Sequence, residues 1–252
     1  MVNGVLYSPK YNYIAYYCAK SGCSSLKHLF IDLHKEELSQ DVQSQLISHT
    51  AKASFMLPND FDTKSVPKFI LVRNPYLRAV SMYINKYVGE NSHIKRSMKE
   101  KNVVNEHGES FLSFLKFLKD LKERNLLNKI DGHMYEQSHE YNSKDNLIVI
   151  KLENFEKEIK KFYRKKFKDD TGFLSKIDGL FAENNKTYHT NTTKIHNDAE
   201  QTDVSKVEFT DKKNIVIPNY DVFYNDKTKK LVETIFHDDF VNFGYSSTFF
   251  TK

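Results

Sequence analysis

Two short stretches of this chain carry residue types suited to holding phosphate. The first is Ala19-Lys20-Ser21-Gly22-Cys23-Ser24-Ser25-Leu26-Lys27. A glycine lets the backbone turn tightly, successive amide N–H groups can then point to one centre, and a helix beginning there adds partial positive charge. Lys20 brings a full charge and Ser24 and Ser25 bring hydroxyl donors, so Lys20, Ser21, Gly22, Cys23, Ser24 and Ser25 form a candidate anion cradle. Either serine would also serve as a plain helix N-cap. The lysine precedes the turn instead of following a second glycine, which departs from the GxxxxGK[ST] loop of nucleoside-triphosphate enzymes.

The second stretch is Arg73-Asn74-Pro75-Tyr76-Leu77-Arg78-Ala79-Val80-Ser81. An arginine at the end of a strand can grip a phosphate with two parallel N–H bonds, and a serine two turns into the next helix adds a third donor. Simpler roles fit the same residues: Arg73 capping a neighbouring carbonyl, and Arg78 with Ser81 forming a surface pair three residues apart.

Positioning such turns requires strands that end where they begin. Asn12–Cys18 is a continuous apolar and aromatic run, followed after the first turn by Leu26, Leu29, Phe30 and Leu33 at helical spacing. Lys68–Val72 precedes the second turn, where Asn74 reads as an N-cap and Pro75 as the first helical residue. Leu147–Lys151 leads into a third helix, with Phe155, Ile159, Phe162 and Tyr163 on one stripe. Three strand-to-helix units predict an α/β fold with a central, mostly parallel sheet flanked by helices and a P-loop-like turn after the first strand. Phe111–Arg124 reads as a packing helix. Leu231, Ile235, Phe236 and Phe240 read as one last amphipathic helix stopped at Gly244. With neither an internal repeat nor a low-complexity linker, residues 1–252 read as one domain.

Composition narrows the function classes. The 38 Lys and Arg against 33 Asp and Glu leave a net charge of +5, enough to favour an anionic ligand but too little to imply nucleic acid. No stretch of about 18 apolar residues is present to cross a membrane, and no signal-peptide pattern opens the chain. Cys18 and Cys23, five residues apart beside the phosphate turn, do not resemble a disulfide framework. A reducing, cytoplasmic setting follows as the expectation. The ten histidines do not gather with the two cysteines at zinc-like spacing, so no metal is expected.

Together the two turns resemble the sulfotransferases, in particular the family that holds carbohydrate enzymes such as the hexuronyl 2-O and chondroitin 4-O sulfotransferases. Ala19-Lys20-Ser-Gly-Cys-Ser-Ser25 is similar to that family's Pro-Lys-x-x-x-[ST]-[ST] loop, which binds the 5′-phosphosulfate of 3′-phosphoadenosine 5′-phosphosulfate (PAPS). Arg73 through Ser81 is similar to its Arg-[DH]-Pro-x-x-Arg-x-x-Ser segment, which binds the 3′-phosphate. Asp131-Gly-His133-Met-Tyr-Glu-Gln137 resembles a His-x-x-x-Gln segment of carbohydrate members, Glu153-Asn154 the Glu-Asn after a later strand, and Asp239–Tyr245 the closing helix. Ala19 and Asn74 depart from the usual proline and acid; neither change removes a ligand.

The resemblance implies transfer of a sulfuryl group from PAPS to a carbohydrate hydroxyl by in-line displacement, without a metal. Lys20, helped by Ser24, would stabilise the departing phosphate oxygen. Two histidines stand as the general base, His49 by its placement before Arg73 and His133 by its segment, with Glu and Asp side chains left as the other candidates. The polar stretch Lys186–Lys194 lies where the family closes a segment over the nucleotide, which makes Tyr188 and Lys194 candidate PAPS contacts. Two other readings stay open: ATP-dependent phosphotransfer, and a non-catalytic glycan- or nucleic-acid-binding module using Lys160, Lys161, Arg164, Lys165 and Lys166.

Overall fold

The computed structural model describes residues 4–48, 62–90, 92–139, 147–168, 170–183, 203–209 and 219–247. In chain order these form β1 (Gly4–Ser8), β2 (Tyr13–Tyr17), α1 (Cys23–Leu33), α2 (Gln40–Ile47), β3 (Lys68–Val72), α3 (Pro75–Met82), a π-helical turn (Tyr83–Tyr87), α4 (His93–Glu100), α5 (Phe111–Glu123), α6 (Leu127–Ile130), β4 (Ile148–Lys151), α7 (Phe155–Lys166), α8 (Thr171–Glu183), α9 (Asp226–Ile235) and α10 (His237–Phe243). They gather into two compact units, residues 3–73 with 142–190, and residues 74–141 with 191–252.

The first unit is built on one sheet of order β1-β2-β3-β4, with β2, β3 and β4 parallel and β1 antiparallel to β2. Successive strand residues point to opposite faces. On one face Tyr13, Ala15, Tyr17, Phe69, Leu71 and Ile150 pack with Leu26, Leu29, Phe30 and Leu33 of α1, Ile159, Phe162 and Tyr163 of α7, and Phe173 and Ile177 of α8. The Phe162 ring meets Phe69 edge-on at 4.9 Å. Ile14 turns to the other face with Tyr7 and Val66, and every residue of β3 is buried. A strand buried on both faces needs the unbroken apolar run Phe69–Val72 supplies.

The sheet is mostly parallel, as expected, but the phosphate turn follows its second strand. β1 precedes it because Ser8–Asn12 reverses the chain: the Ser8 hydroxyl accepts from the Tyr11 amide at 3.2 Å, and Asn12 takes a left-handed φ of 44°. Gly4 then lets the Tyr17 ring lie against the edge strand; a Cβ there would fall 2.0 Å from Tyr17 Cζ.

The second unit is helical. The Asn74 side chain accepts from the Tyr76 amide at 2.9 Å and Pro75 opens α3, as the sequence indicates. α3 runs into the π-helical turn, closed by Val88 N donating to Tyr83 O at 3.0 Å. Its core gathers Tyr76, Tyr83, Tyr87, Phe111, Phe114, Leu118, Phe223 and Phe236. The expected last helix is two: Phe236 leaves helical geometry (φ −109°, ψ 32°) between α9 and α10. Lys122 Nζ takes the Ile235 carbonyl at 2.5 Å, and the Phe236 ring turns toward Arg78. Gly244, at φ 59°, is the C-cap. Among the described residues no helix is long and apolar enough to cross a membrane.

Candidate functional site

β2 ends on buried Cys18, and the chain turns at once into α1. The Ser21 amide donates to the Cys18 carbonyl at 3.2 Å, while Lys20 (φ 66°) and Gly22 (φ 86°) both adopt left-handed backbone. That conformation costs a lysine on the order of 1–3 kcal/mol, and such strain gathers at functional sites. At Gly22 a Cβ would sit 2.4 Å from Leu152 Cδ1, so only glycine fits both the conformation and the space. Gly22 is itself the N-cap and no side chain caps α1, so neither Ser24 nor Ser25 serves that role. Ser21 and Ser25 are fully buried, Cys23 is half-buried and Ser24 is exposed. One turn further, burial pushes the Lys27 ammonium below its ordinary pKa, with the Tyr17 ring 5.5 Å from Nζ.

Arg73, at the end of β3, donates through Nη1 to the Lys20 carbonyl at 3.4 Å. This is the simpler role foreseen for Arg73, donating to a neighbouring carbonyl, and that carbonyl belongs to the candidate cradle. The parallel register brings Cys18, Arg73 and Leu152 to the carboxyl ends of neighbouring strands. Open α/β sheets bind ligands at that edge.

In the second unit Ser81 is buried on α3, and its carbonyl accepts from Asn85 Nδ2 at 3.0 Å. Arg78 is not part of a surface pair. It is 1% exposed, its Nη2 donates to the carbonyls of His133 and Tyr135 at 3.2 and 2.5 Å, and its Cζ lies 5.6 Å from the centre of the Phe236 ring. Asp239 holds the same segment by its amides, accepting from Gln137 N (3.0 Å), Gln137 Nε2 (3.3 Å), Ser138 N (2.7 Å) and Ser138 Oγ (2.9 Å). Residues 133–138 are thus gripped by a buried cation on their carbonyls and a buried carboxylate on their amides.

His133 presents its Nδ1 to Asp131 Oδ1 at 2.7 Å, and its own amide donates to that oxygen at 2.8 Å. The other oxygen, Oδ2, faces His93 Nδ1 and accepts from Ser97 Oγ, both at 2.8 Å. Burial alone would raise the Asp131 pKa, but the hydrogen bonds from His133 and Ser97 outweigh it and hold the carboxyl well below the usual range. For His133, burial lowers the pKa; Asp131 opposes this, and Lys86 and His93 add to it, leaving the imidazole neutral at neutral pH. His93, Asp131 and His133 also offer ligand atoms within 4.8 Å of one another, a spacing that a metal ion could bridge. The four donors on the Asp131 carboxylate account for the cluster as a hydrogen-bond hub.

Sequence reasoning singled out Lys20, Ser21, Gly22, Cys23, Ser24, Ser25 and Arg73, which the first unit brings together, and Ser81 and His133, which belong to the second. His49, Tyr188 and Lys194 lie outside the described residues. It missed Asp131, His93, Ser97, Arg78 and Asp239 as partners of the His133 segment. Asp131-Gly-His133, an acid two residues before a histidine, is the one local signal for them. The basic run on α7 is partly neutralised within the unit: Lys160 pairs with Glu156 at 2.7 Å, and Arg164 with Asp178 at 3.1 Å.

A model of the sulfotransferase family matches residues 3–246, including both phosphate-type turns, the His133 segment and α10. The chain belongs to the sulfotransferase family. No curated protein and no solved structure matches it. The match runs through both compact units of this sulfotransferase. The departure of the cradle from the triphosphate loop, read from sequence, agrees with sulfuryl rather than ATP phosphoryl transfer.

Proposed function

We propose that this sulfotransferase takes its sulfuryl group from PAPS and delivers it to a carbohydrate hydroxyl. The observation that carries the reading is the cradle: strained Lys20 and obligatory Gly22 at the start of α1, with Arg73 reaching the Lys20 carbonyl. Lys20, Ser21, Gly22, Cys23, Ser24 and Ser25 would hold the 5′-phosphosulfate, and Arg73 with Ser81 the 3′-phosphate. Tyr188 and Lys194 are proposed as further nucleotide contacts. When bound, PAPS supplies an activated sulfuryl group on a phosphate that departs with the bonding electrons.

Lys20 stabilises the charge that develops on the leaving phosphate oxygen. His133 takes the acceptor hydroxyl proton at Nε2; the support is its neutral imidazole and the Asp131 carboxylate at its Nδ1. A saccharide acceptor is supported by the likeness of His133–Gln137 to carbohydrate members. Cytoplasmic residence is part of the same proposal, supported by Cys18 and Cys23 lying five residues apart beside the phosphate turn, a spacing unlike a disulfide framework.

Calorimetry with adenosine 3′,5′-bisphosphate and ATP tests the donor. The bisphosphate should bind far more tightly, because ATP leaves the 3′-phosphate groups unpaired. Equal or tighter ATP binding overturns the PAPS assignment. Labelled PAPS with a glycan extract then tests the acceptor.

A further inference from the structure

We propose that Asp131 is the positioning residue of His133, held in place by Ser97 and His93 on the same carboxylate. The inference rests on the reading of His133 as the base and deepens it.

The geometry carries it. Asp131 Oδ1 faces both the amide and the Nδ1 of His133, at 2.8 and 2.7 Å. A hydrogen bond already comes from the amide, so this oxygen is oriented as an acceptor, and the Nδ1 opposite it must carry the proton. The Nδ1–H tautomer leaves the lone pair on Nε2, which is the atom a base needs. Ser97 Oγ and His93 Nδ1 at Oδ2 keep the carboxylate from rotating. Arg78 fixes the backbone that carries the imidazole. As Nε2 accepts the hydroxyl proton, the ring becomes an imidazolium whose charge the ionised Asp131 stabilises.

Burial disfavours the charged form of the His133 ring and Asp131 favours it. Asp131→Asn retains an oxygen for the amide and Nδ1 but removes the charge, and should lower turnover by roughly tenfold or more.

Nitrogen-resolved NMR of histidine-labelled protein checks the tautomer without any need for turnover. Wild-type His133 should be protonated at Nδ1 and unprotonated at Nε2. The melting temperature of Asp131→Asn identifies loss of fold, which spares the readouts taken on the folded fraction. An Nε2–H tautomer in the wild type, or unchanged turnover in folded Asp131→Asn, overturns the proposal. So does a stoichiometric metal ion bound by the three residues. A protein that passes the NMR test yet fails to turn over PAPS instead overturns the donor assignment, and unchanged turnover in His133→Ala overturns the choice of base.

Discussion

Arg78 donates through one guanidinium nitrogen, Nη2, to two backbone carbonyls, those of His133 and Tyr135. The side chain is 1% exposed, and its Cζ lies 5.6 Å from the centre of the Phe236 ring. Its place in the Arg-[DH]-Pro-x-x-Arg-x-x-Ser pattern has a structural counterpart: the first arginine, Arg73, reaches the Lys20 carbonyl, and the second, Arg78, the segment bearing the proposed base.

Replacing Arg78 with lysine keeps the charge but loses the planar guanidinium that lies by the Phe236 ring while donating to both carbonyls. Arg78→Lys should lower turnover by roughly tenfold or more and depress the melting temperature by several degrees, while affinity for adenosine 3′,5′-bisphosphate stays close to wild type. Kinetics, melting and calorimetry on one preparation decide it. A collapse of nucleotide affinity would show instead that Arg78 supports the phosphate site.

Gly22 allows a sharper test of the cradle. Gly22→Ala places a Cβ against Leu152 at a left-handed φ, so the turn must shift. Bisphosphate affinity should fall by roughly tenfold or more. The double variant Gly22→Ala with Leu152→Ala relieves the clash but not the backbone strain, and should recover part of that loss. Unaltered affinity in the single variant removes the turn from the nucleotide site.

Lys20 and Arg73 touch through a main-chain carbonyl, yet their proposed tasks differ. Arg73→Ala should chiefly weaken nucleotide binding, because it holds a group that does not react. Lys20→Ala should chiefly lower turnover, since it faces the oxygen on which charge develops. Near-normal turnover in Lys20→Ala would end its leaving-group role.

The turn between β2 and α1 was legible because its signals are local: a glycine between an apolar run and a helical stripe. β1 was not, since Gly4–Ser8 shows no clean alternation and its pairing depends on the Tyr17 ring finding a glycine. The break at Phe236 was hidden for a similar reason: the helical spacing from Leu231 to Phe240 is intact, and a distant lysine, Lys122, takes the carbonyl at Ile235. The environment of His133 depends on Arg78, His93, Ser97 and Asp239, residues 36 to 106 positions away that no spacing rule connects.

His34 makes the stability of the first unit depend on pH. Its ring is 3% exposed, 4.5 Å from that of Phe30 and 5.4 Å from that of Tyr11. Burial pushes its pKa down to about 4, against the opposing pull of Glu37. The unfolded chain binds this proton near pH 6.5 and the folded chain only near pH 4, so stability falls as the pH drops through that window. Between pH 7 and 5 the loss from this group is about 2 kcal/mol. Denaturant titrations at both pH values, on wild type and His34→Phe, should show a smaller loss in the variant. An equal loss would assign the acid sensitivity elsewhere.

The last prediction separates the two histidines between which the sequence left the base open. His49 rests on its placement before Arg73 and lies outside the described residues, whereas His133 rests on a neutral, carboxylate-paired imidazole. His133→Ala should lose on the order of 10²-fold or more in turnover and keep its bisphosphate affinity, because a base contributes to the transition state and not to nucleotide binding. His49→Ala should be milder. Wild-type turnover should fall in acid as His133 protonates, at a pH below that of an ordinary histidine, given the direction in which burial moves it. If His133 only braces the segment between Arg78 and Asp239, its alanine variant should melt earlier while the folded fraction turns over normally. A folded, nucleotide-binding His133→Ala enzyme near wild-type turnover, alongside an inactive His49→Ala enzyme, would transfer the role to His49.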